Sequence, residues 1–289
     1  MATLRELLQE GVAALTVSSP TPRLDAELLL ETVTGHSRAY MVGFGERAVS
    51  AAQQQQFRQL IARRTEHEPV AYLIGRKEFF GLDFTVTPAV LIPRPDTEIL
   101  VERAIEHLES NRSATRVLDL GTGSGCIALA VASFALKVGR RLEILGVDRS
   151  EDALAVAREN AGLHGLTEMV SFQSSNWFSA LSPSAGSFDL VLANPPYIPE
   201  GSTECSPETA FEPATALFAG EDGLVDIRAI LSHLPQYLAT KGAFICEVGL
   251  DQAQTALEVW SNLHPELSCR TEILRDLSGL ERCIVIARQ

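Results

Sequence analysis

Apolar residues recur three and four apart in the first part of the chain. After residue 116 they gather instead into short continuous runs separated by helical stretches. Leu4, Leu7, Leu8, Val12 and Leu15 share one helix face. Pro20 and Pro22 interrupt that pattern and open a second helix, whose apolar face is predicted to hold Leu24, Leu28 and Leu29. Ser50 and Gln53 have the spacing of a capping box ahead of a Gln-rich helix carrying Phe57, Leu60 and Ile61. Helices this short bury little alone, so residues 1–68 need each other or a neighbouring domain. Phe79, Phe80, Gly81, Leu82, Phe84 and Val86 predict a hairpin, and Pro88, Pro93 and Pro95 stiffen the connection after it. The domain boundary is therefore placed between about residues 70 and 95. Asp96 is placed to cap a helix through Ile99, Leu100, Ile105 and Leu108.

The later runs predict strands at 116–120, 142–147, 170–173, 188–193, 243–248 and 283–287, with helices at 126–136 and 153–161. This alternation is the signature of a doubly wound α/β sheet, whose buried strands read as unbroken apolar runs. Ligands bind such sheets beyond the carboxyl ends of the strands. Asp148 and Asn194 both fall there.

Composition narrows the choice. The 289 residues suit one domain of about 200 residues plus a smaller one. No apolar run is long enough to span a bilayer, and Arg5, Glu6 and Glu10 near the start predict no signal peptide. Five cysteines, Cys126, Cys205, Cys246, Cys269 and Cys283, form no CxxC pair and suggest reduced thiols in the cytoplasm. The six histidines suggest no metal site. The net charge is −13, and residues 1–87 hold nine basic and ten acidic side chains, so the remainder carries −12. That balance disfavours broad binding to a phosphate backbone. Arg58, Arg63, Arg64, Arg76 and Lys77 are the candidates for a local basic patch, or are simply solvated charges.

Two constellations carry chemistry. Asp119 precedes Leu120 and a loop of Gly121, Thr122, Gly123, Ser124 and Gly125 between a strand and a helix. Glycines there let a ligand touch the backbone. The pattern also satisfies a dinucleotide fingerprint through Gly123, Gly125 and Ala128. Asp119, however, would repel a pyrophosphate and suit an ammonium group, which favours an adenosyl cofactor. Its bland alternative is a carboxylate satisfied by loop amides. Asp148 can accept hydrogen bonds from ribose hydroxyls, or cap the following helix. Asn176 and Trp177 follow the third strand, where an amide could hold an adenine and the indole could wall it.

Asn194, Pro195, Pro196 and Tyr197 end the strand at 188–193. An amide or aromatic amine has a delocalised lone pair and is a poor nucleophile. Aim helps it more than a base does. The Asn194 oxygen can accept one N–H and the Pro195 carbonyl the other, which favours the positive charge growing on that nitrogen. The two prolines stiffen the loop, and Tyr197 can lie over a planar acceptor.

The chain resembles the bacterial release-factor glutamine methyltransferase family, also called the HemK family, over nearly its whole length. The resemblance is carried by residues 69–75 with Phe79, by Leu91, Ile92, Pro93, Arg94, Pro95, Asp96, Thr97 and Glu98, and by the glycine loop, Asp148 and Trp177. It continues through residues 194–198, Glu212, Pro213, residues 216–218 and 220–224, then Glu247, Gly249, Gln252, Asp276, Gly279 and Arg282. It implies a seven-stranded class I S-adenosylmethionine-dependent methyltransferase domain, Rossmann-like, with one inserted antiparallel strand, at 95–289. A helical bundle at 1–72 that recognises the release factor and a β-hairpin linker at 73–94 would precede it. It further implies transfer of a methyl group to the glutamine of the Gly-Gly-Gln motif of class I release factors. The cofactor would be held by Asp119, Gly121 to Gly125, Asp148, Asn176, Trp177 and Asn194, and the glutamine amide by Asn194, Pro195, Pro196 and Tyr197. Arg94 would either stabilise its loop or touch the acceptor protein. No metal, membrane or nucleic-acid partner is expected, and the chain is expected to act as a monomer. Many members carry Asp where this chain has Asn176, and Arg where it has Phe211. Adenine-N6 methyltransferases share the four-residue loop but not the segments at 91–98 and 212–224. A non-catalytic module and a dehydrogenase fit less well, because both constellations are intact and no proton donor is evident.

Overall fold

The computed structural model describes residues 2–183, 186–203 and 205–289. The chain divides into two compact units, Met1–Arg76 with Cys205–Phe211, and Lys77–Glu204 with Glu212–Gln289.

The first unit contains α1 (Leu4–Leu15), α2 (Pro22–Thr34), α3 (Arg38–Gly43), α4 (Ala51–Thr65) and α5 (Val70–Ile74). Leu4, Leu7, Leu15, Leu29, Phe57 and Leu73 share its apolar core. A full capping box starts α1, with Thr3 and Glu6 exchanging bonds. At α4 only half of the expected box forms. Gln53 N donates to Ser50 Oγ at 3.3 Å, while the Gln53 side chain reaches the Val33 carbonyl at 3.2 Å.

The face expected of α2 is corrected by the structure. Leu24 is exposed, and Asp25 and Glu27 are buried. Asp25 accepts from Ser19 Oγ at 2.7 Å, Thr21 Oγ1 at 2.9 Å and Arg64 Nε at 2.7 Å. Glu27 lies between Arg23 and Arg38 at 2.9 and 2.6 Å. Buried carboxylates are tolerated when they are paired in this way, and the pairs take the place that periodicity gave to Leu24. The same pairing dissolves most of the candidate basic patch. Arg58 pairs with Glu10, Arg63 pairs with Glu68, and Arg64 is buried against Asp25 and Glu208.

All but the first residue of a hairpin of β1 (Arg76–Phe79) and β2 (Leu82–Thr85) opens the second unit. Phe79 and Phe84 share an apolar cluster with Leu100, Val117, Ile127 and Ile144, so the hairpin is built into the core of this unit. A single 3₁₀ turn, Pro95–Thr97, leads into α6 (Glu98–Ser110). Asp96 does not cap that helix, and its carboxylate pairs with Arg282 at 3.0 Å. Beyond α6 the chain forms β3 (Arg116–Leu120), α7 (Cys126–Lys137), β4 (Glu143–Asp148), α8 (Glu151–Leu163), β5 (Val170–Ser174), β6 (Phe188–Ala193), α9 (Val225–His233), β7 (Leu238–Glu247), α10 (Ala253–Leu263), β8 (Cys269–Arg275) and β9 (Glu281–Arg288).

These seven strands form one sheet in the order β5-β4-β3-β6-β7-β9-β8. The first five run parallel, and β9 is antiparallel to both neighbours. This Rossmann-like sheet with one inserted antiparallel strand is the arrangement that the family resemblance implies. Side chains alternate across it, with Val117 in one apolar cluster and Leu118 and Leu120 in the other. The strand β8 escaped the periodicity reading because it is an edge strand with Arg270, Thr271 and Glu272 in its middle. Among the described residues, no helix is long and apolar enough to cross a membrane.

Candidate active site

The glycine loop leaves β3 through three left-handed glycines, Gly121, Gly123 and Gly125, at φ of +70°, +54° and +82°. A side chain at any of them would be strained. Asn160, on α8, braces the loop from beneath. Its amide nitrogen donates to the Ser124 and Thr85 carbonyls at 2.9 and 3.1 Å, and its oxygen accepts from Thr85 N at 2.8 Å. The end of the hairpin and the loop are thus fixed by one buried amide.

Asp119 is fully buried under the loop. Its Oδ2 accepts from Thr122 Oγ1 at 2.6 Å, and the Ala128 backbone N–H also bears on the carboxylate. Burial pushes its pKa up to about 7 against the opposing pull of the Thr122 hydroxyl. Asp148 ends β4 and accepts from Gly123 N at 3.0 Å and Ser150 N at 2.9 Å. The cap of α8 is Ser150, whose hydroxyl takes Ala153 N, so the capping role open to Asp148 belongs to its neighbour. Trp177 follows β5 with φ of +49° and donates its indole N–H to Asp226 Oδ1 at 3.1 Å. Its ring edge lies where a Cβ on Gly121 would approach it to 3.1 Å.

These groups surround a cleft at the carboxyl ends of the strands, with about 990 Å³ of atom-free space that includes open solvent. Gly121, Thr122, Gly123, Ser124, Asp148, Asn176, Trp177, Asn194 and Pro196 line it. Asp119, Gly125, Pro195 and Tyr197 stand behind the wall. Sequence reasoning gave no role to several further lining residues, notably Thr97, Arg149 and Asp226. The segments around Leu91 and Pro213 also line the cleft, and in the sequence they stand out only as points of family resemblance.

Asn194 follows β6, and its amide nitrogen donates to Thr97 Oγ1 at 3.1 Å. Tyr197 donates its phenol to Glu247 Oε1 at 3.2 Å. Its carbonyl accepts from Gln252 Nε2 at 3.0 Å, and Gln252 Oε1 takes Gly249 N at 2.9 Å. Gly223 lets another turn close on this loop, since a Cβ there would fall 2.2 Å from the Tyr197 carbonyl oxygen. Burial pushes Glu247 up to about 7, while the Thr97 and Tyr197 hydroxyls pull the other way. Burial also raises the Tyr197 phenol, which stays protonated, and holds the Cys126 thiol up to about 12. A cysteine so placed is not a nucleophile at neutral pH. Arg94 pairs with buried Glu212, whose other oxygen accepts Ile92 N at 3.1 Å. Its cation therefore ties its own loop to the segment at Glu212.

The chain matches a family model described as the PrmC N-terminal domain over residues 6–75, and one described as a methyltransferase domain over residues 111–269. It is 41% identical over 269 residues to the release factor glutamine methyltransferase of Pasteurella multocida, covering 89% of this chain and 88% of that one. It is 42% identical over 276 residues to the protein of the same name from Salmonella typhimurium, covering 95% of each. The chain belongs to the release factor glutamine methyltransferase family. As a member of that family it is an S-adenosylmethionine-dependent methyltransferase. A solved structure of the hMettl16 catalytic domain with the MAT2A 3′UTR hairpin 6 aligns at a TM-score of 0.56 and 15% identity, over 78% of this chain and 81% of that one. That likeness concerns the fold alone.

The residues present suit the cofactor of this methyltransferase family. The three glycines leave a cradle free of Cβ atoms, and Asp148 keeps lone pairs beyond its two backbone donors. Trp177 offers a flat wall beside the loop, and the buried Asp119 carboxylate lies beneath it. Among the described residues no cluster of His, Cys, Asp and Glu could hold a metal ion.

Proposed function

We propose that this enzyme transfers the methyl group of S-adenosylmethionine to the side-chain amide nitrogen (N5) of the glutamine in the Gly-Gly-Gln motif of class I peptide-chain release factors. One observation carries the chemistry. Asn194 uses its amide nitrogen on Thr97 and keeps its oxygen, an acceptor with no proton of its own, for the cleft that it lines. The names of its full-length relatives support the substrate.

S-adenosylmethionine supplies an electrophilic methyl group on a sulfonium sulfur. Asp148, Asn176 and Trp177 are proposed to hold its nucleoside end. The glycine loop, with Asp119 beneath it, is proposed to hold its amino-acid end. Asn194 Oδ1 accepts one hydrogen of the glutamine amide and the Pro195 carbonyl accepts the other. Both oxygens favour the charge that grows on the nitrogen as the new bond forms. The stiff Pro195–Pro196 backbone keeps these acceptors in register, and Tyr197, anchored at Glu247 and Gln252, holds the loop in place. The new nitrogen–carbon bond would form as the carbon–sulfur bond breaks, leaving the electron pair on sulfur. The alkylated, positively charged amide would then lose its surplus proton to solvent in the open cleft, so no strong base is required.

Labelled cofactor, purified release factor and mass spectrometry of the Gly-Gly-Gln peptide test the reading directly, with adenine-containing DNA as competitor. Methyl label on glutamine is expected. Asn194→Ala should lower kcat by about 10²–10³-fold, the usual cost of removing one preorganised group from a transition state. Label on adenine and none on glutamine would overturn the assignment.

We further propose that residues 1–72 recognise the release factor, that residues 73–94 act as the hairpin linker and that residues 95–289 carry out catalysis. The near-neutral charge of the first part beside an acidic remainder supports this. The chain is proposed to act as a monomer in the cytoplasm without binding nucleic acid. One chain supplies all the groups named above, and its five cysteines are free thiols.

A further inference from the structure

An asparagine amide has two nearly isosteric ends, and only one of them can accept a hydrogen from a glutamine amide. Something must therefore set which end of Asn194 faces the cleft. The geometry supplies a chain of partners with a single direction. Asn194 Nδ2 lies 3.1 Å from Thr97 Oγ1, so the Thr97 oxygen is an acceptor toward Asn194. The Thr97 hydroxyl proton then needs an acceptor elsewhere. Thr97 is 2% exposed, which excludes bulk water. The group it faces is the carboxylate of Glu247, also 2% exposed, toward which the Thr97 hydroxyl acts as a donor and whose Oε2 has no other hydrogen-bond partner. Oε1 of the same carboxylate takes the Tyr197 phenol at 3.2 Å.

We propose that Glu247, acting through the Thr97 hydroxyl, sets the orientation of the Asn194 amide and so presents its oxygen to the acceptor nitrogen. The proposal rests on the functional reading above and deepens it. The carboxylate at the end of the chain, ionised above about pH 7, only accepts from Thr97, which leaves a Thr97 lone pair for Asn194 Nδ2. If the terminal group were a donor, the chain could run backwards. Thr97 would then donate to Asn194 Oδ1, and Asn194 would present its NH₂ group to an acceptor that also carries N–H. Thr97 and Glu247 are thus positioning residues. Neither needs to touch the substrate. Both come from segments that resemble the family motifs yet carried no assigned chemistry, the 91–98 segment and the end of β7.

The test uses the full-length enzyme and four variants, Thr97→Val, Thr97→Ser, Glu247→Gln and Asn194→Ala. Thr97→Val keeps the shape and removes the hydroxyl, whereas Thr97→Ser keeps the hydroxyl and removes a methyl group. Three readouts are taken. These are kcat and KM on a purified release factor, affinity for S-adenosylhomocysteine by calorimetry, and the Asn194 side-chain NH₂ resonance, assigned by its loss in Asn194→Ala. Thr97→Val and Glu247→Gln should each lower kcat at least tenfold with S-adenosylhomocysteine affinity within about twofold, and both should shift the Asn194 resonance. Thr97→Ser should keep at least a third of parental kcat and leave that resonance in place. A purely structural Thr97 predicts the reverse order, with Val better than Ser, and that order overturns the proposal. So does an Asn194 resonance indifferent to Thr97→Val, even in an active enzyme. Failure of the parent enzyme to label the release factor, with the resonance still responding to Thr97→Val, would remove the functional reading and leave the orienting device standing.

Discussion

Asp148 carries two backbone donors, Gly123 N and Ser150 N, one on each carboxylate oxygen. Each oxygen keeps a lone pair, so the side chain can serve a diol without giving up the loop it braces. Hydrogen bonds to a charged group contribute roughly 1.5–3 kcal/mol. Asp148→Ala should therefore weaken S-adenosylhomocysteine binding about 10–100-fold, and Asp148→Asn should weaken it less because one acceptor oxygen survives. Calorimetry that found equal affinity in Asp148→Ala would remove the ribose assignment. Asp148, Asn194 and the glycines were legible because each lies in a short contiguous motif at a strand end, where the α/β fold itself points to a site. Their supports were not. Thr97 meets Asn194 across 97 residues, Glu247 meets Tyr197 across 50, and Asp226 meets Trp177 across 49. Single residues that far apart in the chain carry no local pattern, and only folding brings them together.

The helices show where periodicity fails at the level of an element. It placed Leu24 on the buried face of α2 because Asp25 and Glu27 read as polar. The buried ion pair of Asp25 with Arg64 takes the place expected for Leu24, while Leu29 stays buried, and it links α2 to α4; Arg64 also reaches Glu208 at 2.6 Å within the same unit. Removing one partner of a buried pair leaves the other uncompensated and costs about 3–5 kcal/mol. Arg64→Met should therefore lower the stability of the first unit by about that much, and Asp25→Leu together with Arg64→Met should recover much of it. Urea unfolding of the two variants decides the matter, and an Arg64→Met curve superimposed on that of the parent would show the pair to be ornamental. The same unit holds the proposed docking role. Hydrogen exchange in the full chain should slow across α1–α5 when intact release factor is added to the S-adenosylhomocysteine complex, and should not slow when a free Gly-Gly-Gln peptide is added. Equal protection by the peptide would move recognition into the cleft. The sheet was the easier half to read, since central strands buried on both faces leave unbroken apolar runs, whereas β8 lies at the edge and mixes polar with apolar residues.

For the molecule as a whole, two buried carboxylates set a dependence of stability on pH. Asp119 lies near the end of β3 and Glu247 ends β7, both at the carboxyl edge of the sheet, and burial raises both pKa values to about 7 from ordinary values of 3.8 and 4.5. Between about pH 4.5 and 7 the folded ligand-free protein therefore binds protons that the unfolded chain has released. Stability from these groups is present in full below the unfolded values and is lost as pH rises through the folded ones, by up to about 1.4 kcal/mol per pH unit for each group. The carboxylates of exposed Asp222 and half-buried Asp276 work in the opposite sense, since their arginine partners hold their pKa values down and their contribution is lost only in acid. The net charge of −13 adds general repulsion as the remaining carboxylates ionise. Urea unfolding of the ligand-free enzyme should thus give a free energy that falls from about pH 5 to about pH 7, and the combined Asp119→Asn and Glu247→Gln variant should show a visibly flatter profile. Because two groups that cost stability when ionised are retained at this edge, the expected result in the variant is a sturdier protein at about pH 8 that transfers methyl groups poorly. Parental stability that rises across that interval, or a variant with the same slope as the parent, would mean that the two carboxylates are ionised in the folded state and that their surroundings are wetter than the structure depicts.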